Sequence, residues 1–183
     1  MGIHTGGVYL AERVKRRIAQ MEETEPPMGM VDITLYRDDA FMGLPRPIIG
    51  ETVVPECGLQ GRNVVLVDDV LYTGRTIRAA LDALMDFGRP ARIQLAVLVD
   101  RGLRELPIQP DVVGMRYDTR PDQQVEVELV ETGGDDEIVL YGRTGDVTEA
   151  SPKGDAVQAS PYDETVSFET IPTAAKTEGE DEQ

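Results

Sequence analysis

Val64-Val65-Leu66-Val67-Asp68-Asp69-Val70-Leu71-Tyr72-Thr73-Gly74-Arg75-Thr76 is the stretch on which the fold turns. Residues 64–67 are all apolar and mostly β-branched, as in a strand covered on both faces of a parallel sheet. From Thr76 onward Ile77, Ala80, Leu81, Leu84 and Met85 recur at helical spacing, so the stretch predicts strand, tight loop, helix. In such sheets ligands sit where strands end and helices begin. The unpaired N–H groups and the dipole of a helix start hold a phosphate, and Gly74 lets the backbone come close to it. Asp68 and Asp69 lie one short loop away, where carboxylates accept hydrogen bonds from sugar hydroxyls or hold Mg²⁺. Adjacent carboxylates at a buried strand end repel, so a structural role gives no reason to keep both. Phosphate on one side and diol plus metal on the other describe a ribose 5-phosphate pocket. Neither G-x-x-x-x-G-K-[ST] nor G-x-G-x-x-G is present, which excludes a Walker loop and a dinucleotide fingerprint here.

The 183 residues suit one domain with a core of its own. Net charge is −16, and half of it comes from the end of the chain: residues 144–183 hold 10 acids against Lys153 and Lys176. That segment is rich in Ser, Thr, Pro and Gly and lacks an apolar period, so it reads as an acidic disordered tail. Residues 1–143 form the folded unit. Of 18 basic residues 15 are Arg, and an acidic, Lys-poor surface fits a salt-rich cytoplasm. Cys57 is the single cysteine, which excludes a disulfide framework and a thiolate metal cluster. No apolar run approaches the roughly 20 residues of a membrane span, and no signal peptide is visible. The cytoplasm is the expected compartment. The acidic charge argues against non-specific nucleic-acid binding, although a local basic face is compatible with it.

Along the chain, Met1-Gly2-Ile3-His4-Thr5-Gly6-Gly7 reads as a Gly-rich loop before a helix whose apolar stripe is Val8, Leu10, Ala11, Val14 and Ile18. Residues 31–36 alternate like a strand, and 37–62 form a long loop rich in Pro and Gly. Residues 93–99 and 112–115 are further strands. Residues 124–130 pair with 138–141 as a hairpin across Gly133-Gly134. The pattern is α/β with a mainly parallel sheet. A Gly-rich ligand loop at a helix mouth is normally delivered by a strand, and nothing in the pattern ahead of this one supplies it.

The central stretch resembles the phosphoribosyl-pyrophosphate (PRPP) motif of type I phosphoribosyltransferases. Residues 32–39 (Asp-Ile-Thr-Leu-Tyr-Arg-Asp-Asp), 83–90 (Ala-Leu-Met-Asp-Phe-Gly-Arg-Pro), 93–102 (Ile-Gln-Leu-Ala-Val-Leu-Val-Asp-Arg-Gly) and 104–108 (Arg-Glu-Leu-Pro-Ile) follow in an order similar to that of the PyrR family. Members of that family are pyrimidine-operon attenuation regulators that are also uracil phosphoribosyltransferases. The resemblance covers roughly residues 2–141. It implies a type I phosphoribosyltransferase fold with a long hood loop, in a homodimer. It also implies a helix and a central strand ahead of the Gly-rich loop, so the chain looks short by both.

The implied reaction joins uracil to PRPP with Mg²⁺, giving UMP and pyrophosphate. The implied catalytic residues are Asp68, Asp69 and Arg37. Asp68 and Asp69 hold the ribose hydroxyls and, through ribose or water, the metal; Arg37 covers pyrophosphate from the start of the hood. Val70, Leu71, Tyr72, Thr73, Gly74, Arg75 and Thr76 form the PRPP and nucleotide loop. His4, Thr5, Gly6 and Gly7 correspond to the pyrophosphate loop, where the family usually has a basic residue in place of His4 and Arg in place of Gly6. Both departures remove positive charge facing a highly charged leaving group. Asp100 and Arg101 fall on the side of the base, and Leu103 stands where a polar residue, often His, is usual. Arg13, Arg16, Arg116 and Arg120 are the implied contacts to pyrimidine-operon mRNA; the competing reading of the helical arginines is a solvated face with ion pairs to Glu12, Glu22 and Glu23. The late loop has Asp118-Thr119-Arg120-Pro121 where the regulators carry a Pro-Thr-Ser-Arg-like segment. Two readings therefore stand: an enzyme of PyrR type, or a catalytically weak RNA-binding regulator that senses UMP or UTP. The PRPP motif by itself does not fix the base.

Overall fold

The structure is a computed structural model that describes residues 1–37 and 50–142. The expectations for Asp38, Asp39 and the rest of the hood, and for the acidic tail, lie outside the described residues. Five parallel strands form the main sheet in the order β2-β1-β3-β4-β5: β1 (Gly2–Ile3), β2 (Met30–Val31), β3 (Asn63–Leu71), β4 (Arg92–Asp100) and β5 (Val112–Arg116). The apolar run at 64–67 lies inside β3, in register with β4 from Asn63↔Arg92 to Leu71↔Asp100. Helix α2 (Arg75–Met85) follows, and its Ile77, Ala80 and Leu84 form one core with Val64, Leu66, Leu95 and Val97. The helical period read from Ile77 onward is the face that makes this core.

The strand that delivers the Gly-rich loop is present after all. Gly2–Ile3 is short but internal, paired in parallel with β2 on one side and β3 on the other. Its ladder is satisfied by Gly2 N–H to the Gly29 carbonyl at 3.0 Å, His4 N–H to Val31 at 3.0 Å and Val67 N–H to Met1 at 2.9 Å. Two residues are too few for a periodicity to register, which is why the sequence pattern did not reveal it. Residues 31–36 also differ from expectation: the strand stops at Val31, and Thr34–Tyr36 is a 3-10 turn. Asp32 drives that change, because its Oδ1 accepts the Thr34 N–H at 2.9 Å in an Asx turn.

Helix α1 (Gly6–Glu22) lies against β1 and β3 and buries Gly7 and Ala11. Of its expected stripe, Val14 and Ile18 are instead 48% and 39% exposed. The expected hairpin is β6 (Gln124–Glu128) with β7 (Glu137–Tyr141), antiparallel, with a 3-10 turn at Val130–Thr132 between them. Its Ile138 packs with Val99 and Tyr117, and Val70, Leu98, Met115, Val125 and Val127 surround that cluster. The hairpin is thus pinned over the carboxyl ends of β3 to β5. Arg13 of α1 fastens it from the other side, bonding Glu131 at 2.5 Å and Asp136 at 2.7 Å. Among the described residues no helix is long and apolar enough to cross a membrane.

Candidate active site

β3 carries the two carboxylates near its carboxyl end, ahead of Val70 and Leu71. Asp68 is buried, with 5% of its surface exposed. Burial and the neighbouring Asp69 carboxylate push its pKa well above the ordinary 3.8. Asp69 is half-buried, and its Oδ1 accepts the Val70 N–H at 2.9 Å. The Gly-rich loop meets the pair head-on. A Cβ on Gly6 would lie 2.4 Å from Asp69 Oδ2, and one on Gly7 would lie 2.3 Å from the Val67 carbonyl oxygen. Glycine at both positions is therefore what lets α1 begin against the end of β3. His4 and Thr5 are exposed at the loop's tip, with Thr5 Oγ1 and His4 Nδ1 3.1 Å apart.

Thr5, Gly6, Asp69 and Val70 share a cavity of about 630 Å³ with residues 125–129, Thr132, Gly133 and Gly134. Its far wall is the β6–β7 hairpin, including Glu126 and Glu128, which sequence reasoning did not assign to the site. The Gly133-Gly134 pair was the available signal. Among the described residues no basic one lines it. Such a cavity has room for a phosphorylated sugar but leaves its anionic parts to be balanced from elsewhere.

The loop after β3 is braced from two sides. Glu105 N–H and Leu106 N–H donate to the Thr73 carbonyl at 3.0 and 3.1 Å. Arg75 N–H donates to Thr73 Oγ1 at 3.3 Å, and its guanidinium pairs with Glu105 at 2.6 Å. Gly74 precedes α2 with φ +92°, in the left-handed region, and supplies no side-chain cap. The first amides of α2 have no intrahelical acceptor, so the helix start offers Thr76 and its neighbours to an anion. Arg37 follows the Thr34–Tyr36 turn in extended backbone, at φ −74° and ψ 140°, and does not line the cavity.

At the end of β4 stand Asp100 and Arg101, expected on the side of the base. Both side chains are engaged inside the protein. Asp100 pairs with Arg104 at 2.6 Å and accepts the Gly102 N–H at 3.0 Å. Arg104 also donates to the carbonyls of Tyr72, Gly102 and Ile108. Arg101 is 5% exposed and donates to Thr119, Arg120 and Gln123. Buried ions need such partners, and these are the partners available. What this end leaves open to solvent is Leu103 and part of Gly102, both left-handed at φ +57° and +73°.

The expected RNA contacts separate as well. Arg13 is partly exposed and pairs with Glu131 and Asp136. Arg16 is exposed and pairs with Glu12 at 3.0 Å, as the solvated-face reading anticipated. Arg116 is exposed, and Arg120 bonds Asp122 at 3.3 Å.

A parallel sheet whose third strand carries two adjacent acids near its carboxyl end, followed by a glycine turn into a helix and faced by a second glycine loop, is the arrangement of a phosphoribosyltransferase domain. The family model of the phosphoribosyl transferase domain matches residues 1–132. "Bifunctional protein PyrR" of Deinococcus radiodurans is 57% identical over 141 residues, 77% of this chain and 76% of that protein. Its counterpart in Thermus thermophilus is 55% identical over 145 residues, 79% and 80%. The solved hypoxanthine phosphoribosyltransferase of Trypanosoma cruzi aligns with a TM-score of 0.49 at 17% identity, over 68% of this chain and 62% of that one. The chain belongs to the PyrR family of phosphoribosyltransferases.

Proposed function

We propose that this chain transfers the phosphoribosyl group of PRPP to uracil, giving UMP and pyrophosphate, and that it regulates pyrimidine biosynthesis genes by transcription attenuation. The carrying observation is the seating of Gly6 and Gly7 against the end of β3, which sets a pyrophosphate loop beside Asp69 in one cavity. Asp69 accepts hydrogen bonds from the ribose hydroxyls, and Asp68, behind it, supports that carboxylate. The α2 start, with Thr73, Gly74, Arg75 and Thr76, holds the 5-phosphate through N–H groups and hydroxyls. Thr5 and the amides of the His4–Gly7 loop hold the departing pyrophosphate, with Arg37 covering it. The leaving pyrophosphate takes the bonding pair from the ribose carbon, the uracil nitrogen supplies the new pair, and the proton that nitrogen carried passes to water. No covalent nucleophile is required, so catalysis rests on alignment and on charges fixed where charge develops.

Mg²⁺ fits this donor set in one way. Asp68 and Asp69 are hard oxygen ligands, suited to the ion. Among the described residues no group of three or more acids, His or Cys is placed to cage a metal, so most ligands must come from PRPP, with Asp69 reaching the ion directly or through water. When bound, the ion offsets the leaving group's negative charge.

The test is pyrophosphate release from PRPP and Mg²⁺ with uracil, orotate or hypoxanthine. Uracil-selective release establishes the reading, and release with another base alone refutes it. One observation favours a second reading, a weakly catalytic sensor of UMP or UTP that binds pyrimidine-operon mRNA: among the described residues no cation lines the cavity to balance pyrophosphate, and Gly6 stands in the loop read as the pyrophosphate loop. UMP-dependent RNA binding without turnover selects it. Arg16, Arg116 and Arg120 are the RNA contacts in either case. A homodimer in the cytoplasm completes the proposal, supported by family membership and, for the dimer, by the exposed Val14, Ile18 and Met21 along α1.

A further inference from the structure

Arg101 is a buried cation that no acid answers among the described residues. Among the described residues no carboxylate pairs with its guanidinium, although buried arginines are rare without one. Its charge is met in two directions instead. On one side its guanidinium carbon lies 4.0 Å from the centroid of the Tyr72 ring, within the phosphoribosyl loop, a cation–π contact. On the other side Nε donates to Thr119 Oγ1 at 3.0 Å, and Nη2 donates to the carbonyls of Gln123 at 2.5 Å and Arg120 at 3.4 Å. The 119–123 segment closes around it: Thr119 Oγ1 donates to the Arg101 carbonyl at 3.1 Å, and Arg120 N–H donates to Gln123 Oε1 at 2.8 Å. The backbone at Arg101 is anchored too, its N–H donating to the Leu71 carbonyl at 3.0 Å.

We propose that Arg101 is a positioning residue that fastens the phosphoribosyl loop at Tyr72 to the 119–123 segment, so that filling the nucleotide pocket orders that segment. The proposal deepens the reading of this pocket as a nucleotide site and rests on it. The physical reason is that neither side alone satisfies the ion. If Tyr72 swings away, the cation loses its aromatic face; if 119–123 opens, it loses its three acceptors. A buried charge left half-satisfied is costly, so the two arrangements are favoured together. A ligand that fixes 72–76 removes motion on one side and lowers the cost of order on the other. The segment bears Arg120, follows Arg116 and leads into β6, which walls the cavity. Occupancy is thereby communicated to the cationic surface proposed to meet RNA. Lysine is a poor substitute, because the three bonds and the stacked face use the planar fork of the guanidinium.

The experiment is hydrogen–deuterium exchange of the full chain with and without saturating UMP, read on the peptide spanning 117–124. Calorimetry with UMP is run in parallel. In the native protein UMP slows exchange there by about fivefold or more, the lower end of usual couplings. With UMP kept saturating for each variant by its own calorimetric affinity, the slowing is lost in Arg101→Met, in Tyr72→Leu and in Thr119→Val, which lies outside the phosphoribosyl loop and removes the Nε acceptor, while Tyr72→Phe, which keeps the aromatic face, retains it. Tyr72→Leu leaves every backbone hydrogen bond of Arg101 in place and decides the matter if Arg101→Met does not fold. Slowing that persists in Tyr72→Leu overturns the proposal, as does a native protein that binds UMP without any slowing. A native protein that fails to bind UMP overturns the nucleotide-site reading and this proposal with it.

Discussion

Gly7→Ala tests the idea that backbone proximity between the Gly-rich loop and β3 builds the site. The added Cβ would lie 2.3 Å from the Val67 carbonyl oxygen and 3.1 Å from Asp68 Cα. A carbon and a carbonyl oxygen are comfortable at about 3.3 Å or more, so the two elements must part by about 1 Å. Both obstacles are backbone, and no rotamer change relieves them. At a solvated helix position Gly to Ala stabilises by about 0.5–1 kcal/mol. Here overpacking of about 1–3 kcal/mol opposes that gain, leaving a net loss of up to about 2.5 kcal/mol. For a protein of this size that is a fall in Tm of up to about 10 °C. The kinetic effect is larger: a 1 Å error in aligning reacting groups costs about 100-fold, and the displacement separates Thr5 and Gly6 from Asp69. The assays are thermal melting and uracil-dependent pyrophosphate release, with Gln20→Ala at an exposed position of the same helix as control. Native melting together with native kcat/KM in Gly7→Ala would refute the reasoning.

Asp68→Asn removes a carboxyl whose pKa is raised by burial and by Asp69. The folded protein binds more protons than the unfolded chain between the ordinary 3.8 and the raised value, so native stability falls as pH rises through that window. The variant therefore melts higher than the native protein at pH 7 and loses that advantage near pH 4, by about 1.4 kcal/mol per unit of elevation; a difference independent of pH contradicts the assignment. Asp69→Asn leaves stability within about 1 kcal/mol because the group is half-buried, yet lowers kcat/KM by about 100-fold or more if it holds the ribose; undiminished turnover removes Asp69 from the mechanism. Arg13→Met unfastens the hairpin. Arg13 holds the Glu131 and Asp136 carboxyls below their usual range, so the contribution is present above pH ~4 and is lost as pH falls through the lowered values. Screening at these part-exposed groups limits it to about 1–2 kcal/mol; denaturant midpoints should differ at pH 7 and converge near pH 3, and equal midpoints at pH 7 rule out the clamp.

Much of this protein is local, and local features are legible in sequence. The β3–loop–α2 unit follows from residues 64–67, Gly74 and the period from Ile77, because burial on both faces of a strand and on one face of a helix dictates composition directly. The β6–β7 hairpin follows from alternation around Gly133-Gly134 in the same way. The acids at the end of β3 carry their own argument, since two adjacent carboxylates at a buried end need a ligand to justify them. The strand Gly2–Ile3 was not legible. Two residues have no period, and they are a strand only because Val31 and Val67 flank them across the chain. The roles of the arginines were not legible either. Arg13, Arg101 and Arg104 look alike in sequence to Arg16 and Arg116, and only the fold determines which meets an internal acceptor and which meets water. Long-range partners such as Glu131 for Arg13 or Gln123 for Arg101 are invisible to local patterns. Composition and periodicity thus determined the class of fold and the chemistry at the end of β3. Tertiary structure decided which charges are spent inside, because a guanidinium's role is set by the acceptors the chain brings to it.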